Sequence, residues 1–86
     1  MERFCFSFKN KTVEDIEVFA EKASQVDGDV SVISGKNHFD GSSFLGLLNL
    51  KDCDVLLVVY PYNAEDFRNY LLNNFVSRLP RLNSYI

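Results

Sequence analysis

Few side chains in this 86-residue sequence are equipped for chemistry, and their spacing narrows the choice further. His38 is the single histidine. It falls in the short segment His38-Phe39-Asp40 of a predicted hairpin, away from any predicted helix start and with no arginine beside it, and it reads as an ordinary surface histidine. Cys5 and Cys53 lie far apart and form no CxxC or metal-ligand pattern, so free, buried thiols are expected and no metal. The acids Glu14, Asp15, Glu17 and Glu21 have no spacing that argues for acid–base catalysis; a solvated helix face is the expectation. Two hydroxyls remain. Thr12, with Asp15 three residues on, has the pattern of a capping box and so of an N-cap. Ser43 precedes a short apolar run. Two roles stay open for it: the N-cap of a short helix, or a phosphorylation site that would add close to two negative charges and switch a surface.

The elements that position these residues follow from hydrophobic period. Phe4, Phe6 and Phe8 alternate with Cys5, Ser7 and Lys9, which predicts a strand over Arg3 to Phe8 with one aromatic face. Ile16, Phe19, Ala20, Ala23 and Val26 recur at helical spacing, giving a helix over 13–26 closed by Asp27-Gly28. Val30, Val32 and Ile33 form a second strand, Ser34 to Asn37 a turn, and His38 to Asp40 a short third strand. Gly41-Ser42-Ser43 leads into a short apolar helix over 44–50. Val55 to Tyr60 is the most apolar and β-branched run, so a central strand buried on both faces or nearly so is expected. A last helix is expected over 64–79, with Asn63 as N-cap, an inner stripe of Phe67, Tyr70, Leu71 and Phe75, and Pro80 as its stop. The tail 81–86 has no assignment.

Composition bounds the rest. A chain of this length is expected to form one domain (1–86) that buries roughly 60–65% of its unfolded surface. Eight phenylalanines and four tyrosines can make so small a core dense. A net charge of −3 argues against a nucleic-acid partner, which would need a basic face. The N-terminal MERFCFSFKN has no apolar stretch of signal-peptide length and no run approaches membrane-spanning length, so a cytoplasmic protein without a membrane partner is expected.

The segment from Phe19 to Leu50, FAEKASQVDGDVSVISGKNHFDGSSFLGLLNL, resembles the HPr family, the histidine-containing phosphocarriers of the sugar phosphotransferase system. That family has a helix ending in a similar FVxxAxxFxSxI stretch, then a hairpin, then a KSxxGxMxL-type short helix. The likeness runs without a gap from about Thr12 to Leu50, and the flanking strand and last helix keep the family's order. It implies an α+β, HPr-like open-faced β-sandwich (βαββαβα): a four-stranded antiparallel sheet with three helices on one face. Residue by residue, the family's Gly-Leu-His-Ala-Arg-Pro-Ala motif falls on Asn10-Lys11-Thr12-Val13-Glu14-Asp15-Ile16. Thr12 stands where the phosphoryl-carrying histidine belongs, Glu14 where the arginine belongs, and Asp15 where the proline belongs. Ser43 matches the serine that a regulatory kinase modifies in many Gram-positive bacteria, and Phe44, Leu45 and Leu48 match apolar positions that meet partners.

A carrier must accept a phosphoryl group and give it away, as neutral imidazole can. A threonine hydroxyl needs a base, and its phosphate ester is too stable to pass onward. Glu14, Asp15 and Glu17 would also repel an incoming phosphoryl group, outweighing a helix dipole worth about 0.3–1 kcal/mol. The resemblance therefore implies a bacterial regulatory or protein-binding module without phosphocarrier activity, not an enzyme and with no cofactor. Its partners by resemblance are HPr kinase, an enzyme I-like protein or a transcription regulator. The alternatives are an active carrier with another acceptor, His38 included, or a divergent domain unrelated to sugar transport.

Overall fold

The computed structural model describes residues 1–78. The chain runs β1 (Glu2–Phe6), α1 (Val13–Ser24), β2 (Ser31–Ser34), β3 (Asn37–Asp40), α2 (Phe44–Leu48), β4 (Leu56–Tyr60) and α3 (Glu65–Asn74). The four strands form one antiparallel sheet in the order β1-β4-β2-β3. Phe4 and Phe6 of β1, Val32 of β2, and Leu56, Val58 and Tyr60 of β4 point to one face. They join Ile16, Phe19, Ala20 and Ala23 of α1, Leu47 of α2, and Phe67 and Leu71 of α3 in a single core among the described residues. All three helices thus cover one face and leave the other open, the open-faced α+β sandwich expected.

The phenylalanines make the centre of that core. The rings of Phe6, Phe8, Phe19 and Phe75 meet with centroids 5.0–5.9 Å apart, mostly edge to face. Each such pair contributes about 0.5–1.5 kcal/mol beyond the area it buries. Phe8 joins although β1 ends at Phe6. The buried Ser7 hydroxyl breaks the alternation by donating to the Cys53 carbonyl and accepting from the Lys9 amide.

Several boundaries differ from the sequence expectation. Helix α1 stops at Ser24 because its last turn tightens: the Gln25 and Val26 amides donate to the Lys22 and Ala23 carbonyls, three residues back. Gly28 closes the loop that follows, not the helix. Its φ is +132°, and a Cβ there would lie 2.8 Å from Pro61 Cγ, so this position requires glycine. Helix α2 ends at Leu48 rather than at 50. Helix α3 is capped in position by Ala64, not Asn63, and ends at Asn74 instead of 79. Phe75 turns to extended backbone (φ −135°, ψ 144°) so that its ring can enter the aromatic cluster. Three residues on, the Arg78 amide donates to the Cys5 carbonyl at 2.7 Å, covering part of the β1 edge. Pro80 and the tail 81–86 lie outside the described residues.

Strand β4 is central but not buried on both faces. Leu56, Val58 and Tyr60 are buried; Leu57 and Val59 are half-buried on the open face, and Val55, ahead of the strand, is 52% exposed. The β-branched run reports central placement between two strands, and it also lines a face that no helix covers. Cys5 and Cys53 are free, as expected, but half-buried rather than buried.

Candidate functional site

Each of the two hydroxyls singled out from the sequence stands at a helix start. Thr12 is the N-cap of α1, with extended backbone (φ −85°, ψ 168°). Its Oγ1 accepts from the Asp15 amide at 3.1 Å, and the Asp15 carboxylate accepts from the Thr12 amide at 2.9 Å. Both halves of the capping box are present, so the Thr12 hydroxyl holds the helix. The Asp15 carboxylate belongs to this arrangement. The Thr12 amide that it accepts from holds its pKa below the ordinary aspartate value. The nearest cation in sequence is also committed: the Lys11 ammonium donates to the Asn74 carbonyl at the end of α3 and sits 4.7 Å from the centre of the Phe75 ring. Glu14 is exposed and adds a negative charge to the first turn. An arriving phosphoryl group would meet two carboxylates and a hydroxyl already in use.

Ser43 is different. It occupies the N-cap position of α2 (φ −92°, ψ 95°), but its side chain makes no capping hydrogen bond. The turn ahead of it does that work. Asp40 Oδ1 accepts from the Ser42 amide at 2.9 Å and from the Ser42 hydroxyl at 2.7 Å, and these bonds hold the Asp40 carboxyl below its usual pKa. The Ser43 amide donates to the Asp40 carbonyl, and the Gly41 amide to the Val30 carbonyl at 2.7 Å. Gly41 is buried so tightly that an added Cβ would lie 2.6 Å from Val30 Cγ1. Asp40, Gly41 and Ser42 thus place α2 and leave the exposed Ser43 hydroxyl out of the cap. The signal for this in the sequence is Asp40 two residues before Ser42, the spacing of an Asx turn.

Helix α2 sets out the apolar candidates in three ways. Leu47 points into the core. Phe44 and Leu48 are partly buried against it. Leu45 faces outward and is 76% exposed, and Ser43, two residues before it, is exposed as well. Leu48 contributes mainly to packing. Gly46 keeps room for Ser43, since a Cβ there would stand 3.3 Å from Ser43 Oγ.

The structure does not unite Thr12 with Ser43. Ser42 shares a surface cleft with Ala23 and Ser24 at the far end of α1, which is about 18 Å of helix away from Thr12. His38 is exposed on β3, where it pairs with Ile33 on the open face of the sheet. Among the described residues, no three His, Cys, Asp or Glu side chains converge on a metal position, and no helix is long and apolar enough to cross a membrane. Comparison with known protein families, with curated proteins and with solved structures found no match.

Proposed function

We propose that this chain is an HPr-like regulatory or protein-binding module, related to the phosphoenolpyruvate-dependent sugar phosphotransferase system, that does not itself carry phosphate. The observation that carries the reading is the contrast between a hydroxyl spent on structure and one held out. Thr12, in the acceptor position, is locked in a complete capping box. Ser43 is exposed, makes no cap bond and neighbours a leucine that is 76% exposed. Leu45 with the flank of Phe44 would be the contact surface, and phosphorylation of Ser43 would switch it by adding charge beside the Asp40 carboxylate. A protein kinase of the HPr kinase type, an enzyme I-like protein or a transcription regulator is the partner class this reading implies.

Two assays test it. Incubation with phosphoenolpyruvate and enzyme I should leave no acid-labile phosphoryl group on the protein. Stoichiometric labelling would overturn the reading, and label on His38 would establish the carrier alternative. Incubation with HPr kinase and ATP should place an acid-stable phosphate on Ser43 and none on the Ser43→Ala protein. An unlabelled wild type would remove the regulatory half of the proposal.

A further inference from the structure

The open face of the sheet carries two rows of side chains fixed by strand register. One row runs Arg3, Val59, Ser31, Asp40 across β1, β4, β2 and β3. The next runs Cys5, Leu57, Ile33, His38. Leu57 and Ile33, at the centre, are only half-buried, as is Val59, although no helix lies over them. The charges stand at opposite edges: Arg3, exposed and without an ion-pair partner among the described residues, on β1, and Asp40 on β3.

This order is complementary to itself. A two-fold axis just above the open face, parallel to the strands and midway between β4 and β2, sets β1 of one copy over β3 of the other. Arg3 then faces Asp40 of the second copy twice, once at each rim, and Leu57 faces Ile33 of the second copy twice at the centre. An axis perpendicular to the strands would instead bring β1 over β1 and β3 over β3, so that Arg3 could not face Asp40. We propose that the open face is a self-association surface, and that the protein forms an isologous, face-to-face dimer about the strand-parallel axis.

The size of the face sets the strength. Four strands about 4.8 Å apart and four or five residues long give a face of about 300 Å² per copy. The total of about 600 Å² is short of the roughly 1,200 Å² of a standard stable interface. The dimer is therefore weak, with a dissociation constant of about 0.1–1 mM, and forms at high local concentration.

Sedimentation equilibrium of the full chain up to about 1 mM tests this, with charge reversal as the diagnostic. Arg3→Glu and Asp40→Lys should each weaken self-association by about tenfold, because each leaves like charges across both rims. An equimolar mixture of the two variants should associate to within a few-fold of wild type, since the mixed dimer restores both opposite pairs. Asp40 also holds Ser42, so Leu57→Gln provides a variant clear of that turn, and it should weaken association by a similar factor. A wild type that stays monomeric at about 1 mM overturns the proposal and leaves the face to another protein or to none. Association that Arg3→Glu and Leu57→Gln leave unchanged, or a mixture no stronger than its components, overturns it equally.

Discussion

Helices α1 and α2 both begin at a hydroxyl residue with extended backbone, yet the two starts are built on opposite plans. At α1 the N-cap side chain is the fastener: Thr12 and Asp15 exchange hydrogen bonds and the helix is closed from within. At α2 the fastener is moved upstream to Asp40, which grips Ser42, while Gly41 seats against Val30. The residue at the N-cap is thereby released from structural duty. A hydroxyl at a helix start is thus not one kind of object. What it can do depends on whether another residue satisfies the first turn.

The largest expected effect falls on the upstream fastener. Gly41→Ala forces a Cβ into a space where Val30 Cγ1 would be 2.6 Å and the Val30 carbonyl oxygen 2.9 Å away. The backbone must move to relieve this, and the cost should be about 1–3 kcal/mol in urea unfolding. A loss below about 0.5 kcal/mol would show that α2 does not depend on this seating.

Next comes the internal fastener. Thr12→Ala removes the acceptor for the Asp15 amide and should cost about 0.5–2 kcal/mol, with Thr12→Ser recovering most of it. If alanine were neutral, the hydroxyl would be free after all and the contrast with Ser43 would collapse. Ser43→Ala should be smaller still, within about 0.5 kcal/mol, because no cap bond is lost. A cost near that of Thr12→Ala would mean that Ser43 caps α2 in solution and is less available to a kinase.

How much of this the sequence disclosed depends on the range of the interaction involved. The Thr12–Asp15 box is a contact over three residues, and the two residue types announce it. The element order is equally legible, since Phe4, Phe6 and Phe8 against Ile16, Phe19, Ala20 and Ala23 switch from period two to helical period. The Ser43 result was open because its hydroxyl competes with Asp40, and propensity alone does not decide which of two capping devices prevails. Leu57 shows a different limit. The run Val55 to Tyr60 is apolar at every position, so its composition gives no hint that one face is left without a helix. The end of α3 was missed for a tertiary reason. Phe75 continues the helical stripe in sequence, yet its ring reaches the Phe6–Phe8–Phe19 cluster from extended backbone.

The smallest and most specific difference concerns pH, since both fasteners contain a carboxylate but in different roles. Hydrogen bonds from the Thr12 amide lower the pKa of Asp15, and those from the Ser42 amide and hydroxyl lower that of Asp40. A carboxyl group whose folded pKa lies below its unfolded value, about 3.9, contributes stability that is present above that value and fades as pH falls through the folded pKa. The stability of the wild type should therefore be level with respect to these groups from neutral pH down to about pH 5 and should drop below about pH 4. Asp54 is lowered as well, by the hydrogen bond from the Lys9 ammonium and then by its charge in the same exposed ion pair, and acts in the same range. Salt separates the two causes, because an exposed ion pair is screened at about 1 M ionic strength whereas a hydrogen bond to a backbone amide persists. In high salt, Asp15→Asn and Asp40→Asn should each flatten part of the acid slope of the urea midpoint. The difference lies in what melts. Asp15→Asn should change the acid response of amide exchange in the first turn of α1 and leave α2 unaffected, and Asp40→Asn should do the reverse. If either variant alters both helices alike, the two starts are coupled and the division of labour between Thr12 and Ser43 fails.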